Sequence, residues 1–322
     1  MTPLGLFATI RARCAEVARR ARFVRVDERG LDRLVEDLAR EPWPEEDLDP
    51  AHAFAGDDET LLAFTLLLDA INFGSGWFPA LAKRDGLSGY RTIATACRAR
   101  FEASGAPSAG ELRRYTPEAM SEMLGQDFAD AEVRELMTLF AEAWRDFGSW
   151  LGRRHGDRFD SVVESAEGSA EKLVEALAEM PLYRDVVSYA ELEVPFYKRA
   201  QITAADLHRA FGEGPLGRFS DLDQLTLFAD NLVPHVLRCR GVLRYDPSLL
   251  ARIDRGERLA IGSAEEVEIR AVALDVVEAM VAALGERGRS TSAAELDGWL
   301  WNAGQAPEVK AFPRHRARGS FY

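Results

Sequence analysis

The segment Phe219-Ser-Asp-Leu-Asp-Gln-Leu-Thr-Leu-Phe-Ala-Asp-Asn-Leu-Val-Pro-His-Val-Leu-Arg238 sets three carboxylates in an apolar run, and a proline follows the third. Counted at helical spacing, that third acid, Asp230, neighbours Leu227, Val233 and Pro234. A carboxylate in such company is partly desolvated, which raises its pKa and sharpens its electrostatic effect. Pro234 lacks an N–H, so a continuous helix would leave the carbonyl of residue 230 without its usual donor. A second reading stays open: Asp230 caps a helix whose first turn accommodates Pro234. On one continuous helix Asp223 and Asp230 would share a side, roughly 10 Å apart along the axis. That rise excludes a proton-sharing dyad and leaves one acid for a reacting centre and the other for substrate. Asp221, with Ser220, is the expected helix cap.

Upstream, Val194-Pro-Phe-Tyr-Lys-Arg-Ala-Gln-Ile202 places two cations after two aromatics. Lys198 and Gln201 share a helical face while Arg199 points elsewhere. Such a face can hold a planar heterocycle against Phe196 or Tyr197 and hydrogen-bond it through Gln201 and Lys198. The plain alternative is a helix start with a solvated Lys-Arg pair. Phe211-Gly-Glu-Gly-Pro-Leu-Gly217 is a glycine-rich turn, suited more to close helix packing than to anion binding. Asn72-Phe-Gly-Ser-Gly-Trp-Phe-Pro79 offers an amide with Phe73, Trp77 and Phe78, either a stacking wall or a plug between helices. Near the C-terminus, Trp299-Leu-Trp301 precedes a tail with Arg314, His315, Arg316 and Arg318. Folded back, that tail is a phosphate clamp. Its closing aromatics favour packing over fraying.

The elements that must position these residues are mostly helices. Periodicity predicts helices over Phe7–Arg20, Leu31–Arg40, Leu61–Ile71 with Asp57 or Asp58 as cap, Tyr90–Glu102, Pro117–Leu124, Asp130–Arg154 and Ala170–Ala178. Phe23-Val-Arg-Val26 is the best short strand, and the segment from Pro42 to Pro50 reads as a loop. Ser263 and Ser292 each precede a glutamate by three residues, opening helices to about Leu284 and Asn302 as capping boxes. Around the aspartates the pattern reads helix, glycine hairpin, helix, then a second helix or a kinked continuation from Asp230. The expectation is a mostly α globule with a helix-hairpin-helix-type unit and a minor β element. It forms a single domain over 1–322, with a subregion 1–55 that carries one strand.

Composition narrows the function. Forty basic and fifty-three acidic residues leave a net charge of −13, which opposes a phosphate-backbone partner but tolerates one local cationic pocket. Cys14, Cys97 and Cys239 form no Cys-x-x-Cys pair, against a zinc site or a disulfide framework and in keeping with a reducing cytoplasm. Leu61–Ile71 is too short to span a bilayer. No metal or other cofactor is indicated by the spacing of any ligands.

Leu-Asp-Ala-Ile-Asn-Phe (68–73), Phe-Tyr-Lys-Arg-Ala-Gln-Ile (196–202), the 219–231 block, Glu268-Ile-Arg-Ala271 and Pro313-x-His-Arg-x-Arg318 together resemble the queuosine salvage protein family. The resemblance implies an N-glycosylase that hydrolyses queuosine 5′-phosphate and releases queuine, a 7-deazaguanine base, for transfer RNA modification. It also implies a distant kinship to helix-hairpin-helix DNA glycosylases. Lys198–Phe228 then corresponds to the hairpin, and Asp230 with Val233 and Arg238 to the catalytic aspartate segment. The acidic charge and the missing Leu-Pro-Gly-Val-Gly hairpin separate this chain from the DNA-acting enzymes.

On this resemblance Asp230 stabilises the cationic sugar and Lys198 assists it. Gln201, Asp223 and Asn72 are candidates to hydrogen-bond the base, while Phe196, Phe73 or Trp301 stack on it. The 5′-phosphate meets His235, Arg199 or the tail around His315. The expected partner is a small nucleotide, with no nucleic acid and no membrane. Two other classes are weighed against it, a base-excision glycosylase on nucleic acid and a non-catalytic helical interaction module.

Overall fold

The computed structural model describes residues 4–43, 51–54, 56–84 and 86–322, so the expected loop up to Pro50 lies outside the described residues from position 44 on. Among the described residues helices dominate, and β structure is confined to short two-stranded pairs. Contacts divide the chain into two compact units, each built from separated stretches. The first comprises Met1–Asp47, Asp185–Lys198 and Asp223–Arg318; the second comprises Leu48–Arg184, Arg199–Leu222 and Gly319–Tyr322.

In the first unit the helix Leu6–Arg20 buries Phe7, Ile10, Cys14 and Val17, spaced three or four apart, and packs this stripe on the helix Ala264–Glu286. That long helix is buried on nearly every side from Glu266 to Ala273, so its charged residues need partners inside the protein. Glu268 has them. One oxygen accepts the backbone N–H groups of Arg22 (2.9 Å), Phe23 (2.6 Å) and Val24 (3.2 Å), and the other accepts the Tyr189 hydroxyl at 2.8 Å. Burial first, and Glu268 second, push the Tyr189 phenol up to about 12.

The strand expected near Phe23 forms over Val24–Val26 and pairs antiparallel with Leu243–Tyr245. The helix Glu28–Arg40 crosses close to the turn before that partner strand, and a Cβ on Gly30 would lie 1.9 Å from the Gly241 carbonyl oxygen. Only glycine fits there. A second antiparallel pair joins Val186–Tyr189 to Leu192–Pro195. Arg258–Leu259 and Arg316–Ala317 pair in parallel, which seats the tail as far as Arg318 in this unit. Ser292 and Glu295 form the expected capping box. At Ser263 only half of the box forms: Ser263 Oγ accepts the Glu266 N–H, whereas Glu266 Oε2 accepts the Gly262 N–H at 3.1 Å.

In the second unit Asp57 caps the helix Asp58–Ala70, as its position predicts. This helix packs on Gly89–Ser104 and on the long helix Ala131–His155. Trp144 Nε1 donates to the Leu67 carbonyl at 2.9 Å, and edge-to-face rings (Phe64–Phe101, Phe101–Trp144, Phe73–Phe140) fill the space between the helices.

The main departure lies in Phe219–Arg238. The helix Lys198–Phe211 and the glycine-rich turn are present, but the second helix of the expected hairpin is not. A single 3-10 turn, Leu222–Gln224, is followed by irregular backbone to Leu232, and helix resumes only at Val233–Cys239. Asp223 and Asp230 therefore share no helix. Asp221 is a cap, but of another helix: its carboxylate accepts the N–H groups of Ala170 (2.6 Å) and Glu171 (3.1 Å) and the Ser169 hydroxyl (2.8 Å) at the start of Ala170–Leu177. That long-range bond explains why local pattern misassigned it.

Candidate active site

Leu225 to Ala229 is buried yet neither helix nor strand. Buried backbone must still find hydrogen-bond partners, and here side chains of the first unit supply them. Arg11 donates to the carbonyls of Gln224 (2.8 Å) and Leu225 (3.4 Å). Asp297 Oδ1 accepts the Phe228 N–H at 3.1 Å. Arg270 Nε donates to the Ala229 carbonyl at 3.0 Å. Asn231 Nδ2 reaches the His315 carbonyl at 3.4 Å. The segment is thus held at intervals along its length.

Asp230 is the half-buried residue at its end. Its Oδ1 accepts the N–H groups of Leu232 (2.7 Å) and Val233 (3.1 Å) at the start of the helix that carries Pro234 in its first turn. The capping geometry is therefore present. Oδ2 forms no hydrogen bond to a described residue, so one oxygen fixes the group and the other keeps its lone pairs. Arg314 lies close enough for the two charges to act on each other. Burial pulls its guanidinium down from the usual arginine range, and the Asp230 charge works in the opposite direction. Arg314 makes no hydrogen bond to a described residue.

Phe196, Tyr197 and Lys198 belong to the same unit. Phe196 and Lys198 are buried, and Tyr197 between them adopts φ 49°, a left-handed conformation that a bulky residue takes at a cost of about 1–3 kcal/mol. Asp185 holds this turn. Its carbonyl accepts the N–H groups of Phe196 (2.9 Å) and Tyr197 (3.4 Å), and its Oδ2 accepts the Lys198 N–H at 3.3 Å. Arg270 grips the same carboxylate with both Nη atoms, at 3.1 and 2.6 Å, and lies 3.9 Å from the Phe196 ring centre.

The histidines have other partners. His235 Nε2 faces the Val309 carbonyl at 3.0 Å, so it carries the proton, and Nδ1 accepts from Arg238 at 3.1 Å. Burial pushes His235 down to about 4, with the Val309 bond opposing and the charges of Arg238 and Arg314 adding. His315 is fully buried and pushed down to about 3, again by burial first and then by Arg314. Both are neutral near pH 7, so neither supplies the phosphate cation expected of His235. With Arg238, which donates to the Pro313 carbonyl at 2.7 Å, His235 instead ties the tail to the helix Val233–Cys239. Asp223 is exposed and accepts from Gln224 Nε2 at 3.0 Å. Trp301 is half-buried on the helix that carries Asp297.

The remaining candidates lie in the second unit. Arg199 is sandwiched between Phe73 (4.6 Å) and Tyr183 (4.5 Å) and donates to the carbonyls of Ala70 and Leu182. Phe73 packs edge-on to Phe140, and Trp77 Nε1 donates to Glu135 at 2.8 Å, which favours the plug over the stacking wall for these two rings. Asn72 is half-buried, and Gln201 is fully buried on the helix that begins at Lys198.

Sequence reasoning gave no role to Asp185 or Asp297, used Arg270 only within a block of the family resemblance, and treated Arg314 only as part of a tail. Arg270 had a readable signal, a lone cation among Ile269, Ala271 and Val272, which implies a buried partner. Asp185 and Asp297 had none, because their partners are remote in sequence.

Fold and site define a mostly helical protein with a carboxylate pinned by backbone N–H groups within electrostatic reach of a tail arginine. Comparison with known proteins gives the family. The queuosine salvage protein family matches residues 51–322, and the chain belongs to it. A Sphaerobacter thermophilus protein named queuosine 5′-phosphate N-glycosylase/hydrolase is 38% identical over 271 residues, covering 82% of each chain. Proteins of the same name from Dictyostelium discoideum (29% identical over the whole of both chains) and Mus musculus (32% over 95% of this chain and 96% of the other) are also similar.

Proposed function

We propose that this protein hydrolyses the N-glycosyl bond of queuosine 5′-phosphate, releasing queuine for reuse in transfer RNA modification. Family membership and relatives of that name over most of the chain support the reaction. The observation that carries the site is Asp230, with one oxygen fixed by two N–H groups and the other making no hydrogen bond to a described residue.

Breaking the bond between C1′ and the base nitrogen leaves its electron pair on the base and positive charge on C1′ and the ring oxygen. A fixed carboxylate facing that carbon stabilises the charge without rearranging, and its open oxygen can orient or deprotonate the incoming water. A 7-deazapurine lacks N7, so the leaving base is activated through its other heteroatoms. Lys198 is the cation we assign to that region, with Phe196 and Tyr197 beside it. For the 5′-phosphate, Arg314 is a better candidate than His235 or Arg199. Its charge is permanent, and its guanidinium makes no hydrogen bond to a described residue. Asp223, Trp301 and His315, of the same unit, remain further candidates to meet the substrate.

The net charge of −13 favours a small nucleotide over a nucleic acid. No helix among the described residues is long and apolar enough to cross a membrane, and the three cysteines are free, which suits a reducing cytoplasm. The test is to incubate the protein with queuosine 5′-phosphate, the free nucleoside and a queuosine-containing oligonucleotide, and to follow base release by chromatography. Release from the monophosphate alone supports the reading. Release from the oligonucleotide alone would point to a base-excision activity instead.

A further inference from the structure

We propose that Arg270 is the positioning residue of this site, joining the aspartate arm to the lysine arm through one guanidinium. The inference rests on the function proposed above and adds a residue to it. Four of the contacts on this side chain bear on the site: Nε to the Ala229 carbonyl, both Nη atoms to the Asp185 carboxylate, and the guanidinium face over Phe196, while Glu266 lies 3.6 Å from Nη1 on the same helix. Ala229 immediately precedes Asp230. Asp185 holds the backbone N–H groups of Phe196, Tyr197 and Lys198. The guanidinium therefore couples the approach to the acid with the strained turn that launches Lys198. The residue is fully buried, so water cannot take over any of these bonds.

The chemistry requires arginine. Its planar fork presents two parallel N–H groups to a carboxylate, keeps Nε for a third acceptor and lays a flat face on the ring. A lysine ammonium can occupy one of these corners but not all of them. Loss of Arg270 frees the Ala229 peptide to turn, and Asp230 turns with it. Misplacement of a reacting group by about 1 Å commonly costs about 100-fold in rate.

Glu268 provides an internal control. It is as deeply buried on the same helix, two residues earlier, but its hydrogen bonds go to residues 22–24 and Tyr189 and to no candidate site residue. The experiment compares Arg270→Lys, Asp185→Asn and Glu268→Gln by queuine release from queuosine 5′-phosphate and by hydrogen exchange on peptides covering 196–200 and 228–233. The expected result for Arg270→Lys and Asp185→Asn is a fall in kcat of about 10- to 100-fold with KM within about threefold. Amide exchange should accelerate in both peptides. Glu268→Gln should lose thermal stability and keep the wild-type kcat.

A folded Arg270→Lys protein with wild-type kcat and unchanged exchange would overturn the proposal. So would a Glu268→Gln protein with an equal loss of kcat, since the helix rather than the guanidinium would then be responsible. If Arg270→Lys does not fold, Asp185→Asn decides in the same way. A wild-type protein that released no queuine would overturn the proposed function alone. The exchange measurement would still decide whether Arg270 holds the two segments.

Discussion

Replacing Asp230 by asparagine removes the charge and little else. The amide oxygen can still accept the Leu232 and Val233 N–H groups, now 2.7 and 3.1 Å from Oδ1, so the local backbone should persist. Weakening two charge-assisted bonds at a half-buried position should cost about 1 kcal/mol of stability. The effect on rate is larger. A full negative charge about 4 Å from a carbon that becomes cationic contributes about 4 kcal/mol at an effective dielectric constant near 20. Part of the positive charge resides on the ring oxygen and part of the field is screened, so a loss of about 10²–10³ in kcat is expected, the range seen when one charge-stabilising group is removed. Single-turnover reactions with excess enzyme, quenched over time and resolved by chromatography, isolate the chemical step from product release. Parallel thermal melts establish folding. An Asp230→Asn protein that melts near the wild type and releases queuine within about threefold of its rate would refute the assignment.

Arg314→Gln should raise KM for the monophosphate about 10- to 100-fold, the worth of one or two charge-assisted hydrogen bonds. Turnover of the unphosphorylated nucleoside should not change, and an equal loss on both substrates would exclude a phosphate role. Acidification should destabilise the protein through its buried histidines. His235 and His315 are held down to about 4 and about 3, and His155 is shifted the same way by burial. A depressed folded-state pKa means that the unfolded chain binds more protons, so this stability is complete above about pH 6.5 and is lost as pH falls toward 4. Thermal melts of His235→Gln should show a slope between pH 5 and 6 smaller by close to one proton, about 1.4 kcal/mol per pH unit; an unchanged slope would contradict the neutral, buried assignment. Glu268→Ala should cost about 3 kcal/mol or more in denaturant unfolding, because three backbone N–H groups and the Tyr189 hydroxyl lose their acceptor. A loss below about 1 kcal/mol would mean that water replaces the carboxylate.

The helices were legible because their causes are local. Asp57, Asp130 and Ser292 stand where caps belong, and Phe7, Ile10, Cys14 and Val17 recur at the spacing of one helical face. The strand at Val24–Val26 was legible from its β-branched residues, while its partner Leu243–Tyr245 was hidden by more than two hundred residues of separation. The sequence also singled out Asp230 and identified the family from short blocks spread along the chain.

Tertiary structure decided how Asp230 is held. Local pattern predicted a helix from Phe219, because leucines and aspartates at those intervals suit one. Arg11, Arg270 and Asp297 satisfy the backbone of an irregular segment instead, which removes the need for helical hydrogen bonds. Burial decided the histidines: His235 and His315 looked like cations in the sequence, but neither can afford a charge away from water. The amino-acid sequence by itself determined which residues could do chemistry and which stretches would coil. Which of those residues stay charged, and which bonds aim the acid, followed only from partners brought together across the first unit, because hydrogen bonds and desolvation depend on distance in space.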